Sequence, residues 1–143
     1  MQTSRVCIDA SVALKLVVDE NGSARARSLW RGWAESGRRP IAPPLFVFEC
    51  VSALRRLVVR GDLDEESGRS ARDRLLAMPI ALPAPAGLLE LAWDRARRHD
   101  RPQVYDCFYL ALAELFETEL WTADRRFFNS LADREPRVRL LQR

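Results

Sequence analysis

Val6-Cys7-Ile8-Asp9-Ala10-Ser11 is the stretch whose reading decides the fold. Three apolar residues run straight into a carboxylate, and a hydroxyl follows two positions later. Asp9 is the only charged residue between Arg5 and Lys15. A short unbroken apolar run predicts a strand buried on both faces, as inside a parallel sheet. An unpaired carboxylate within such a strand carries a large desolvation cost. Asp9 is therefore expected where the strand ends, at the mouth of the crevice in which open α/β sheets bind ligands.

The same anomaly recurs along the chain. Glu49 is the only charge between Arg39 and Arg55, and Asp106 the only one between Arg101 and Glu114. Asp124 follows the apolar pair Leu120-Trp121 in Leu120-Trp-Thr-Ala-Asp124-Arg-Arg-Phe127. Isolated acids in apolar segments far apart in sequence suggest convergence on one site. Clustered carboxylates repel and raise each other's pKa. A divalent cation relieves that repulsion, and an all-oxygen site suits Mg²⁺ or Mn²⁺.

Each acid also has a plainer reading. Asp9 can serve as a turn residue at a strand end, and Ser11 as a helix N-cap. Glu49 can pair with a buried arginine. Asp106 and Asp124 can simply favour helix N-termini, and Thr122 can be structural. Their joint occurrence, in this order, favours a common site.

Composition narrows the classes. A chain of 143 residues with 48% hydrophobic residues is expected to form one domain, spanning 1–143, around one core. Charged residues arrive too early for a signal peptide, and no apolar run is long enough to cross a bilayer, so a cytoplasmic location with no membrane partner is expected. Cys7, Cys50 and Cys107 are odd in number and sit in apolar runs, as buried thiols of a reducing compartment do. His99 is the only histidine, and no Cys/His spacing points to zinc or to a nucleophile–histidine pair. The net charge is +3, and Lys15 is the sole lysine among the cations. An arginine-rich surface is compatible with phosphate binding. Trp30, Trp33 and Trp93 fall at helical positions and read as core or subunit-interface residues.

Periodicity predicts helices over 11–18, 23–36, 45–60, 64–78, 87–99, 104–116 and 124–132. Short strands are expected at 6–9, 41–42, 79–82, 119–122 and 138–141. Ala24, Leu29, Trp30, Trp33 and Ala34 form the expected inward stripe of the second helix. Val47, Val51, Leu54 and Val58 form that of the third. The alternation predicts an α/β fold: a mostly parallel central sheet of four or five strands, with helices on both faces.

Four segments together resemble a known family. They are Asp9-Ala-Ser11 at a strand end, Pro43-Pro-Leu-Phe-Val-Phe-Glu49, Tyr105-Asp106-Cys-Phe-Tyr109-Leu-Ala-Leu-Ala113, and Thr122-Ala-Asp124-Arg-Arg-Phe127. Their order and separation resemble PIN-domain ribonucleases, specifically VapC-type toxins of toxin–antitoxin pairs. Cys107 stands where the family carries Ala or Ser, and Cys50 where Val is usual. The resemblance implies a PIN-like three-layer sandwich and metal-assisted hydrolysis of RNA. It implies Asp9 and Asp106 as principal ligands of Mg²⁺ or Mn²⁺, completed by Glu49 and Asp124. Ser11 and Thr122 would support the carboxylates or bind substrate phosphate. It also implies a VapB-like antitoxin that covers the crevice, and a homodimer. The competing reading is a catalytically silent PIN module that holds RNA or a partner. A haloacid-dehalogenase-like phosphohydrolase is disfavoured because Asp9-Ala-Ser11 is not Asp-x-Asp. A receiver domain is disfavoured because the lone lysine comes early.

Overall fold

The computed structural model describes residues 4–142. Val6, Cys7 and Ile8 are fully buried, which requires cover on both sides of their strand, β1 (Arg5–Ile8). After β1 come α1 (Ala10–Val17), α2 (Ser23–Glu35), β2 (Arg39–Ile41), α3 (Leu45–Val59), α4 (Glu65–Leu76) and α5 (Leu88–Arg98). Then follow α6 (Tyr105–Leu115), β3 (Leu120–Thr122), α7 (Arg125–Leu131) and β4 (Val138–Leu140). The strands form one parallel sheet in the order β2-β1-β3-β4. Cys7 pairs with Ile41 on one side and Leu120 on the other, and Trp121 pairs with Arg139 beyond. Parallel neighbours need long crossovers, which the helices supply on both faces.

The strand expected at 79–82 is reduced to one bridge, Ile41 to Ala81. Ala81 still donates to Pro40 O and accepts from Ala42 N on the β2 edge. Pro79 and Pro83 flank it without backbone N–H groups, so the ladder stops there. Two helical stripes are also rotated from expectation. In α2, Ala24 and Ala34 are exposed, and Ala26 turns inward beside Trp33. In α3 the fully buried row is Phe46, Cys50 and Leu54, while Val47, Val51 and Val58 are half-buried. Small or valine residues carry too little apolar area to set a helix's phase against larger neighbours. Of the three helical tryptophans, Trp33 is core, Trp30 half-buried and Trp93 exposed.

α6 is the most buried helix, with Cys107 and the run from Tyr109 to Ala113 inside. Cys7 Sγ lies 3.6 Å from Tyr109 O, so this helix packs directly on β1. All three cysteines are buried and free. His99 is buried against Glu135, 2.9 Å away, a structural pairing rather than a catalytic one. No helix among the described residues is long and apolar enough to cross a membrane.

α5 is clamped to α6 by a buried arginine. Arg95 Nε and Nη2 donate to the two oxygens of Glu114 at 2.7 and 2.5 Å, and Nη1 donates to Asp94 at 2.7 Å. The Arg95 side chain is only 9% exposed, so its loss leaves a half-buried carboxylate unmatched. Arg95→Leu is expected to destabilise the protein by about 2–4 kcal/mol in urea unfolding. The double change Arg95→Leu/Glu114→Leu is expected to recover most of that loss.

Candidate active site

Asp9 follows the last residue of β1 in an extended conformation and caps α1. Its Oδ1 accepts from the backbone N–H of Ser11 at 3.0 Å and Val12 at 3.4 Å. The cap expected at Ser11 therefore belongs to Asp9, because β1 ends at Ile8 and Ala10 is already helical. Ser11 is used differently. Its hydroxyl donates to Asp9 Oδ1 at 2.5 Å and accepts from Ala123 N at 2.8 Å. Thr122, fully buried at the end of β3, donates to Asp9 Oδ2 at 2.5 Å and accepts from Asp124 N at 3.0 Å. These two hydroxyls join the ends of the neighbouring strands β1 and β3.

The other acids arrive from three helices. Glu49, on α3, accepts from the Tyr109 hydroxyl of α6 at 2.5 Å. Asp106 sits in the first turn of α6 and accepts from Arg101 Nη2 at 2.6 Å. Asp124 caps α7, accepting from Phe127 N at 3.1 Å. All four acids line one crevice of about 200 Å³, together with Ser11, Arg56, Tyr109 and Phe127. It opens at the carboxyl ends of the parallel strands, where an α/β sheet presents its ligand site. A larger hollow, about 530 Å³, lies at the opposite sheet edge and is lined by Arg5, Arg38 and Arg137, with none of the four acids. Chemistry rather than size selects the crevice.

The profile of the PIN domain family matches residues 6–133. Ribonuclease VapC9 of Mycobacterium tuberculosis is 33% identical over 122 residues, covering 85% of this chain and 87% of the relative. The chain belongs to the PIN domain family, among the VapC proteins. Ribonuclease VapC1 of Mycobacterium tuberculosis is 36% identical over 89 residues, covering 59% of this chain and 62% of that one. Two solved structures share the fold. PAE2754 of Pyrobaculum aerophilum aligns with a TM-score of 0.63 at 19% identity, covering 90% of this chain and 86% of that one. VapC20 of Mycobacterium tuberculosis, described as a sarcin-ricin loop cleaving toxin, aligns with a TM-score of 0.63 at 18% identity, covering 87% and 94%.

Burial dominates the electrostatics of this PIN crevice. It pushes the Asp9 carboxyl from its ordinary 3.8 up to about 6. The Ser11 and Thr122 hydroxyls and the Val12 N–H oppose the rise, and the Asp124 charge adds to it. Burial likewise raises Glu49, opposed by the Tyr109 hydroxyl and reinforced by the Asp106 charge. Tyr109 is pushed far above its ordinary range by burial and by Glu49, so it stays a proton donor.

The donor set fits an oxygen-seeking divalent cation: four carboxylates and two hydroxyls, with the Asp124 charge raising Asp9 and the Asp106 charge raising Glu49. The arrangement is an open crevice rather than a closed cage. Among the described residues no three potential ligands converge to metal-binding distance.

Sequence reasoning missed three side chains here: Tyr109, Arg101 and Arg56. Tyr109 was legible as a hydroxyl one helical turn after Asp106 on an otherwise apolar helix. Arg101 lay in a segment read only as a loop, and Arg56 carried no local signal.

The raised Asp9 pKa has a definite sign for stability. Well below pH 3.8 the carboxyl is neutral folded and unfolded, and costs nothing. As pH rises from 3.8 to about 6 the unfolded chain ionises first, so stability falls. The full interval corresponds to about 3 kcal/mol. Metal-free Asp9→Asn is therefore expected to exceed the unsubstituted protein in stability by about 1–3 kcal/mol at pH 8. The gain should shrink as pH falls and vanish about a unit below 3.8, as read by thermal unfolding in EDTA.

Proposed function

We propose that this PIN domain is a VapC-type ribonuclease, the toxin of a VapBC-type module, hydrolysing RNA phosphodiester bonds with Mg²⁺ or Mn²⁺. The observation that carries this reading is the convergence of Asp9, Glu49, Asp106 and Asp124 from four separate segments into one crevice. The relatives named VapC ribonuclease support the substrate class.

In this reading Asp9 and Asp106 hold the cation, with Glu49 and Asp124 completing the site. Bound there, the cation supplies Lewis-acid polarisation of the phosphodiester and neutralises the clustered carboxylates. The rest is done by the chain. Ser11 and Thr122 hold both Asp9 oxygens in one orientation, so the carboxylate does not reorganise on loading. Tyr109 fixes one oxygen of Glu49. The other is free to orient the attacking water and take its proton. The water oxygen bonds to phosphorus, the bond to the leaving oxygen breaks, and solvent protonates that oxygen. Arg56, at the crevice wall, is placed to meet a substrate phosphate.

The proposal extends to a single domain over 1–143, a cytoplasmic location and a VapB-like antitoxin. Three buried free cysteines support a reducing compartment. It also includes a homodimer, which the family resemblance implies, with apolar faces of the early helices as the candidate contact.

Purified protein is expected to cleave RNA with Mn²⁺ or Mg²⁺ and to stop in EDTA. Asp106→Asn should lower the rate by about a hundredfold or more. Tyr109→Phe should lower it by about ten- to a hundredfold, because Glu49 loses its orienting donor. RNA binding without cleavage, with Mn²⁺ affinity intact, would instead identify a catalytically silent module.

A further inference from the structure

The loop after α5 brings a cation to the acidic crevice. The helix ends in a Schellman turn: Arg101 N donates to Ala96 O at 2.8 Å, and Asp100 N to Arg97 O at 3.2 Å. Asp100 occupies the left-handed position at φ +53°. His99, just before it, is pinned to Glu135. The backbone of Arg101 is thereby held five residues before Asp106.

The Arg101 guanidinium is anchored at three points. Nη2 donates to Asp106 Oδ2 at 2.6 Å, and Nη1 donates to Ser130 Oγ at 2.8 Å. Its central carbon lies 5.8 Å from the centroid of the Phe127 ring, which lines the crevice. The side chain thus spans from the start of α6 to α7. Among the described residues, Asp106 is the only one of the four acids in an ion pair. Asp9 and Glu49 are held by neutral hydroxyls, and Asp124 by a backbone N–H. Hydroxyl donors leave a carboxylate its full negative charge. A guanidinium cancels it.

We propose that Arg101 is an in-chain counter-cation that competes with the divalent metal for Asp106, and so sets how much metal is needed to load the site. This rests on the metal reading of the crevice given above. A divalent cation held by Asp106 would sit beside the Arg101 guanidinium, so two positive groups would share one carboxylate. Metal binding at Asp106 would weaken the Arg101–Asp106 pair, while Ser130 and Phe127 hold the arginine at the rim. Arg101 acts on the metal through Asp106 and is a positioning residue.

Calorimetric titration of Mn²⁺ into metal-free protein tests this without reference to cleavage. Arg101→Ala and Arg101→Gln are expected to bind Mn²⁺ about three- to tenfold more tightly than the unsubstituted protein. Arg101→Lys, which keeps the charge, should stay within about twofold of it, and Asp106→Asn should bind more weakly. Circular dichroism melting confirms that each variant is folded, and Arg101→Gln retains most of the arginine stem if the alanine variant is not. Equal or weaker Mn²⁺ binding by the neutral variants overturns the competition. Absence of Mn²⁺ binding from every sample, the unsubstituted protein included, overturns the metal reading itself and the competition with it.

Discussion

A single carboxylate at the end of the central strand organises this protein. Asp9 is 9% exposed and forms no ion pair among the described residues, yet it accepts from two hydroxyls and two backbone N–H groups. Those donors do three things together. They start α1, they join the ends of β1 and β3, and they hold a negative charge in a place where burial opposes it. Removing water from such a group without donors would be prohibitive, so the surrounding structure is built to supply them.

The parallel sheet explains why the remaining acids can meet it. With β1 between β2 and β3, every strand delivers its carboxyl end to the same edge. Asp9 leaves β1 there, Asp124 follows β3, and the helices packed on the sheet carry Glu49 and Asp106 to the same rim. The α5–α6 clamp through Arg95 and Glu114 fixes the helix that presents both Asp106 and Tyr109. Stability and chemistry therefore share one helix: its buried face is core, and its first two turns face the crevice.

The partners of the four acids divide by charge. Neutral donors hold Asp9, Glu49 and Asp124, which leaves their negative charge uncancelled. Arginine holds Asp106 alone. That division separates three acids that keep their full charge from the one whose charge is balanced within the chain. The buried His99–Glu135 pair and the Schellman turn make the arginine's position a property of the fold rather than of a free loop.

Much of this was legible along the chain. The unbroken apolar run of β1, the alternation of short strands with helices, and four acids stranded in apolar segments determined the fold class and named the carboxylates. Periodicity reports which elements are buried, and a lone charge in an apolar run reports where burial is broken. Other features were settled only by tertiary packing. The residues 79–82 have strand composition, but flanking prolines and an edge position leave them one bridge. Ser11 has the composition of a cap, but β1 ends one residue too early for it to serve. The hydroxyl of Tyr109 finds Glu49 across 60 residues. The arginine on Asp106 is only five residues away, yet a loop carries no period that would announce it. Composition and spacing determine what a segment can bury; which donor meets which acid depends on where separate segments are brought together, and only the packed sheet decides that.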